Sequence, residues 1–503
     1  MPGEYHMIHV NEEISPQTST SQEGQKLLEE LNGKENQAEN WGKLQKVPAI
    51  MRENENKREY FKPREISVGP IHGGDSDLSK RELKAQLAKK FIKNSNKPAE
   101  IFLENIKNNI KFLRKCFGKG IADSYTDDDL ACLMFLDGCA VLQFIYSWNS
   151  GNLKDFNISS IQATLIQQDL FLFENQLPFE VLMLLMTELI NETEKEESFP
   201  AKGIPFSYAI VKFVVANNIC APTEEIDHLF DFRGMVGVLD KKKPDHLLDL
   251  LRMVSVFGNL KGDVEDRDDQ ESLIEPILHP PKSFLSRLAC FSKPRQPNIF
   301  DDMKGILNIM RRNYDRTFRT VQELKSSGIK MMPSNSRSLR SVSFSTHCFG
   351  FRGHLKLPTL VVDDSTVRKL LNLVAYETCL DDNNKRRVTS YLNFLDLLID
   401  TEQDAKDLRA AHILRNRLSS DDEVAQLFNT IGSTYLISQS QDYYYVVIKN
   451  QIEEHYNRNL AIWLAQLYND HFSNPVTIVA LVAAAVALAL TIVQTVYAVN
   501  PKE

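Results

Sequence analysis

DLFLFENQLPFEVLMLLM, Asp169 to Met186, sets two long apolar runs on either side of three polar side chains and a proline. Helical spacing on both sides predicts helices over Ile161–Asn175 and Phe179–Ile190, and Pro178, which cannot continue a helix, ends one and starts the other. Polar groups enclosed by such runs must be hydrogen-bonded, because each unpaired one costs about 1–3 kcal/mol. Glu174, Asn175 and Gln176, with Pro178, are therefore read as a structural motif that caps backbone groups freed at the break; ligand contact is the alternative.

The same periodicity extends in both directions. Leu83, Leu87 and Phe91 form one run, and Phe102, Ile106, Ile110, Leu113 and Phe117 another, with Ser95–Pro98 supplying the break. Further helical runs cover Asp127–Tyr146, Phe206–Val215, His246–Val256, Phe300–Leu324, Thr366–Cys379, Val388–Leu398, Asp404–Arg417, Glu423–Ile431 and Tyr443–Tyr468. SVSFSTHCF (Ser341–Phe349) and LKLPTLVV (Leu355–Val362) alternate around a Gly-containing turn at Gly350–Gly353, which predicts a β-hairpin. The expected fold is mainly α: a large helical body over residues 46–474 with a small β-hairpin, and one transmembrane helix at the C-terminus. Two solvated loops are expected on the body, an acidic one at 262–271 and a Ser-rich, basic one at 332–342, where Arg340 three residues before Ser343 suits a basophilic kinase.

The two ends differ from the body. Residues 1–45 hold eight Glu against three Lys and few large apolar groups, so a disordered acidic tail is expected. Val476–Val499 is 24 residues without a charge, enough as a helix to cross a hydrocarbon core of about 30 Å. With no apolar leader at the amino end, this reads as a tail anchor, with the body in the cytosol at the plasma membrane. Ala480, Ala484, Ala487, Thr491 and Thr495 recur every three or four residues, and Gln494 borders them, giving a face on which a second anchor could pack and self-associate.

With 43% hydrophobic and 25% charged residues and a net charge of −8, the 503-residue chain is neither collagen-like, disordered throughout nor a small disulfide scaffold. A mildly acidic chain without a basic block is not expected to bind nucleic acid. Its seven cysteines lack a CxxC pair and are read as reduced thiols, which fits a cytosolic body. No phosphate loop, nucleophile elbow, zinc helix, kinase signature or dinucleotide fingerprint is present, so no cofactor or metal is expected and no catalytic residue is assigned. His72, in GPIHGGDSD, is read as a turn histidine and His246 as a satisfied interface histidine at a helix start. Asp137 beside Cys139 in ACLMFLDGCAVLQFIY lacks the nearby histidine or helix N-terminus that would activate a thiol.

ISVGPIHGG (Ile66–Gly74), LDGCAVL (Leu136–Leu142), DLFLFENQLPFEVL (Asp169–Leu182), HLLDLLR (His246–Arg252), LKLPTLVVDD (Leu355–Asp364), SYLNFLDLLIDTEQD (Ser390–Asp404) and LTIVQTVYAV (Leu490–Val499) occur in that order, and the pattern resembles the plant family called domain of unknown function 247. Glu180 stands where a second Phe is usual after LPF. The resemblance implies a plant membrane protein anchored by its C-terminal helix, without established catalytic residues; some grass members are associated with pollen and stigma self-incompatibility.

Two function classes follow. The first is a membrane-anchored recognition or signalling component without catalytic activity, whose partners are the lipid bilayer and a protein of unknown identity. The alternative is a hydrolase or transferase with a site assembled from His72, Asp137, Cys139 and Glu174.

Overall fold

The computed structural model describes residues 44–52, 58–73, 78–189, 206–220, 243–258, 319–347, 352–380, 386–435 and 443–456, with positions 479, 483, 484, 486–491, 494 and 495. Its elements in chain order are α1 (Leu78–Ser95), α2 (Ala99–Asn108), α3 (Ile110–Lys115), α4 (Asp127–Ser150), α5 (Ser160–Asp169), α6 (Phe179–Thr187), α7 (Phe206–Ala216), α8 (Leu247–Phe257), α9 (Val321–Ser326), β1 (Ile329–Pro333), β2 (Ser343–His347), β3 (Arg352–Leu357), β4 (Leu360–Val362), α10 (Asp364–Thr378), α11 (Arg387–Leu398), α12 (Glu402–Ala410), β5 (Leu414–Asn416), α13 (Asp421–Tyr435) and α14 (Tyr443–Tyr456). The protein is mainly helical with small sheets, as its periodicity implies.

α4 is the pillar. Thr126 caps it by accepting from the Asp129 N–H, three aspartates in its first turn meet the positive end of the helix dipole, and Gly151 at φ 73° closes it in the left-handed region. Beyond the first turn it buries residues on every side, and α1, α2, α6 and α7 pack around it. Among the described residues it is the one helix long and apolar enough to cross a membrane, but 72% of its apolar window is buried within the protein, which makes it a core helix. Gly138 lets α6 approach: a Cβ there would stand 2.6 Å from Leu185 Cδ1 and 3.1 Å from Val181 Cγ1.

Several sequence expectations change. The run from Phe102 to Phe117 breaks at Asn109 into two short helices. The helix expected to reach Asn175 stops at Asp169, because the Asn175 and Gln176 side-chain amides take the carbonyls of Asp169, Leu170 and Leu172 and fold LFLF into buried turns. The run Asp404–Arg417 is helical only to Ala410. There His412 adopts φ 61°, and Leu414–Asn416 leaves as a strand paired in parallel with β4. The hairpin exists as the antiparallel pair β2–β3, but β3 is the centre of a three-stranded sheet with β1 parallel on its other edge. LKLPTLVV is divided at Pro358, its second half joining the other sheet.

The 332–342 segment is not solvated. Leu339 and Val342 are buried, the Leu339 N–H donates to Ser255 O at 2.9 Å, and the Tyr445 hydroxyl donates to Leu339 O at 3.0 Å. Residues 1–43 of the acidic tail, the 262–271 loop, residues 300–318 and residues 457–468 lie outside the described residues, as does most of 476–499; the end of the expected tail is not disordered, since Leu44 is buried and donates its N–H to Cys116 O at 2.9 Å. The described positions of that last run are helical and exposed.

Replacing Gly138 by Val puts branched methyls into the α4–α6 contact. The urea midpoint is expected to fall by the equivalent of about 2 kcal/mol at unchanged slope.

Candidate functional site

The polar residues of the opening motif meet a segment more than 100 positions away. Residues 59–73 carry no regular secondary structure, yet Phe61, Ile66 and Val68 are buried, so their backbone groups need partners that a neighbouring strand does not supply. Side chains supply them. Asp169, 0% exposed, accepts from the N–H groups of Arg64 (3.0 and 2.9 Å), Glu65 (2.6 Å) and Ile66 (3.0 Å). Asn175 accepts from the Val68 N–H at 2.6 Å and donates to Ile66 O at 3.0 Å, as a paired strand would. Asp137 accepts from the Gly69 N–H at 2.9 Å and from Lys84 Nζ at 2.7 Å, and the same ammonium donates to Ser67 O. Gly69 sits at φ 78° against the Gln176 carbonyl, where any Cβ would collide.

α10 holds the other side. Arg368, buried, donates to the carbonyls of Glu59, Tyr60 and Lys62 and lies 3.6 Å from Asp169. Asn372 donates to Tyr60 O at 3.0 Å and accepts from the Phe173 N–H at 2.8 Å, tying this strap to the turn after α5.

Glu174 closes the strap's ends. It accepts from the Val47 N–H at 2.8 Å, pairs with Arg52 at 3.3 Å, and lies 3.6 Å from His72 Nε2. Gln176 does what a break residue should, donating to Leu170 O and Leu172 O and accepting from the Leu248 N–H in the first turn of α8. Pro178 stands as the N-cap of α6, nine residues after α5 has ended. Gln176 thus meets backbone groups on both sides of the break, Asn175 meets the Asp169 carbonyl as well as the strap, and Glu174 serves Val47, Arg52 and His72.

Of the four residues of the alternative site, the structure brings His72 to Glu174 and joins Asp137 to Lys84. Burial pushes the Asp137 carboxyl above its ordinary value, against the pull of Lys84, and pushes the Cys139 thiol well up, opposite to what a nucleophile needs. Among the described residues no group of three or more His, Cys, Asp or Glu could hold a metal ion. In the C-terminal run, Ala484, Ala487, Thr491, Gln494 and Thr495 are helical and exposed, with the Thr491 and Thr495 hydroxyls donating to the carbonyls of Ala487 and Thr491; Ala480 lies outside the described residues. Glu180, at the position where Phe is usual, pairs with Lys243 at 3.0 Å.

His246 was legible as a helix-start residue but not as half-satisfied. Its Nδ1 accepts from the Asp249 N–H at 3.1 Å as the cap of α8. Its ring stands edge-on to Tyr376 at 4.6 Å, and Nε2 meets no hydrogen-bond partner. Burial, partly opposed by Asp249, pushes its pKa down to about 4.

Comparison with known proteins matches residues 44–490 to the family model DUF247, described as plant protein of unknown function. UPF0481 protein At3g47200 of Arabidopsis thaliana is 25% identical over 460 residues, 87% of this chain and 83% of its own length. Putative UPF0481 protein At3g02645 of the same plant is 22% identical over 410 residues, 75% of this chain and 76% of its own. No solved structure is significantly similar to the chain.

Asp169→Asn would turn amide hydrogens toward three N–H donors and leave Arg368 without its carboxylate. A loss of about 3 kcal/mol in urea unfolding is expected, with the strap amides of residues 64–66 gaining hydrogen exchange first. For His246, a folded pKa of about 4 lies below the unfolded 6.5, so its contribution is complete above the unfolded value and is lost as pH falls toward 4. Wild type is expected to lose roughly 3 kcal/mol more than His246→Asn between pH 7.5 and pH 4, because Asn keeps the cap without the titration.

Proposed function

The chain belongs to DUF247, a family of plant proteins of unknown function, and from that premise we propose that it is a non-enzymatic interaction protein held at a membrane by its 476–499 segment. Its helical body binds a protein partner in recognition or signalling, of which self-incompatibility-like recognition is one form. The observation that carries this reading is the C-terminal run: Val479, Val486, Leu488 and Leu490 are helical and between 53% and 69% exposed, whereas the body buries its large apolar side chains almost throughout. An uncharged apolar helix left in water is costly, and hydrocarbon is the medium that removes the cost.

The polar groups that suggested chemistry support the same reading. Asp137 spends its oxygens on Gly69 of the strap and on Lys84, Glu174 spends its own on Val47, Arg52 and His72, and burial pushes the Cys139 thiol up. A hydrolase or transferase built on them would have to break the strap to use them. The described cysteines Cys116, Cys132, Cys139, Cys220 and Cys379 are all free thiols, which favours a body in the cytosol, with the plasma membrane as its site. The face of Ala484, Ala487 and Thr491 is where we place self-association.

The full chain is expected to stay with the membrane pellet through alkaline carbonate, and deletion of residues 476–503 to release it. In sealed membranes an N-terminal tag should be digested without detergent. Carbonate extraction of the full chain would refute the anchor; protection of the tag with glycan on Asn157, exposed and two residues before Ser159 in an Asn-X-Ser acceptor, would place the body on the opposite side. Ala484→Leu, Ala487→Leu and Thr491→Leu together should abolish crosslinked dimers in the membrane, and unchanged crosslinking would remove the self-association.

A further inference from the structure

The three-stranded sheet has two unlike faces. Ile329, Met331, Leu355 and Leu357 turn into the core, and Phe344 packs its ring 5.6 Å from that of His455 near the end of α14. The pairing register fixes what stands on the other face: Met332, Lys356 and Ser343 in one row, Lys330, His354 and Ser345 in the next, and Arg352 beyond them on β3. Lys330, Arg352 and Lys356 are exposed and His354 half-buried. No carboxylate belongs to these rows. With strands about 4.8 Å apart and same-face residues about 6.7 Å apart along a strand, the three cations share a patch roughly the size of a few lipid headgroups.

This patch is unusual in a chain whose net charge is −8. Its position is informative as well. α14, which packs on β2, is the last described element of the body, and only residues 457–475 separate it from the apolar run. Along the chain, the sheet's packing partner α14 is thus separated from the apolar run by residues 457–475 alone.

We propose that the outer face of this sheet, through Lys330, Arg352 and Lys356, lies against anionic phospholipid headgroups of the membrane that the 476–499 segment enters. The inference rests on the membrane reading above and adds the face of the body and the lipid class to it. The cytoplasmic leaflet carries a negative surface potential that draws basic groups near a membrane anchor, and a tether keeps the body within reach of it, so contacts too weak to recruit a free protein suffice to orient a held one. Ser343 and Ser345 stand between these cations and the sheet edge, and their hydroxyls suit phosphate oxygens.

The test uses the full chain reconstituted into two kinds of vesicle, pure phosphatidylcholine and phosphatidylcholine with roughly one-fifth phosphatidylserine. Flotation reports the anchor, and labelling by a water-soluble amine reagent, read by mass spectrometry, reports the sheet. The expected result is flotation with both vesicles, with Lys330 and Lys356 losing most of their labelling only on the anionic ones and regaining it at about 0.5 M salt; Lys62, remote in sequence and 57% exposed, should label equally throughout. Lys330→Glu, Arg352→Glu and Lys356→Glu together should still float and should label Lys62 no differently from wild type, while anionic lipid no longer slows hydrogen exchange in β1–β3.

Flotation with both vesicles and equal labelling of Lys330 and Lys356 on both would overturn the sheet contact and leave the anchor standing. Flotation with anionic vesicles alone, lost in the triple variant, would support the sheet contact and overturn the anchor. Flotation with neither would overturn both.

Discussion

A carboxylate with no exposed surface organises this protein. Asp169 ends α5, and its two oxygens gather the N–H groups of three successive residues, Arg64, Glu65 and Ile66, while Arg368 stands behind it. Taking a charge out of water costs several kcal/mol unless donors replace the lost hydration, and here the donors are backbone groups that themselves have no strand to pair with. Each side solves the other's problem. Arg368 does the converse for the strap's carbonyls, so an irregular segment is buried with its polar groups met from both flanks.

That arrangement explains why one short motif carries so many polar side chains within apolar surroundings. Asp169, Glu174, Asn175 and Gln176, within eight residues, are four solutions to the same requirement, reaching the strap, the chain near Val47 and the first turn of α8. A cluster of this composition resembles an active site because both need fixed, desolvated polar groups. The difference is stoichiometric: in a strap the acceptors are filled by the protein's own donors, whereas a catalytic carboxylate keeps a position for the reacting proton.

Much of the helical body was legible because helical spacing is local information. α4, α10 and α11 follow their apolar periodicity to within a few residues. What failed was non-local. Nothing within LFLFENQ tells that Asn175 will pair with Val68, so the helix was extended six residues too far, over positions whose carbonyls the amides take. Ile329–Pro333 lacks the alternation that marked β2, since β1 exists by pairing with β3 across 24 residues of chain. Leu414–Asn416, three residues long, is shorter than any period can show, so helical spacing alone runs the preceding helix through it. The site residues were legible as structural, but their partners were not, and the half-satisfied state of His246 depends on the ring of Tyr376, 130 positions away.

Charge distribution adds a constraint that fold alone does not. The chain's net charge of −8 lies largely in residues 1–45, where eight Glu face three Lys, so on the proposed anchoring an anionic leaflet repels that tail more than the body. In that proposal the sheet face bearing Lys330, Arg352 and Lys356, with α14 packed on β2, is where attraction acts. Orientation in the proposed arrangement needs no strong contact: a few weak attractions on one face are enough to turn a body that a tether already holds near the surface.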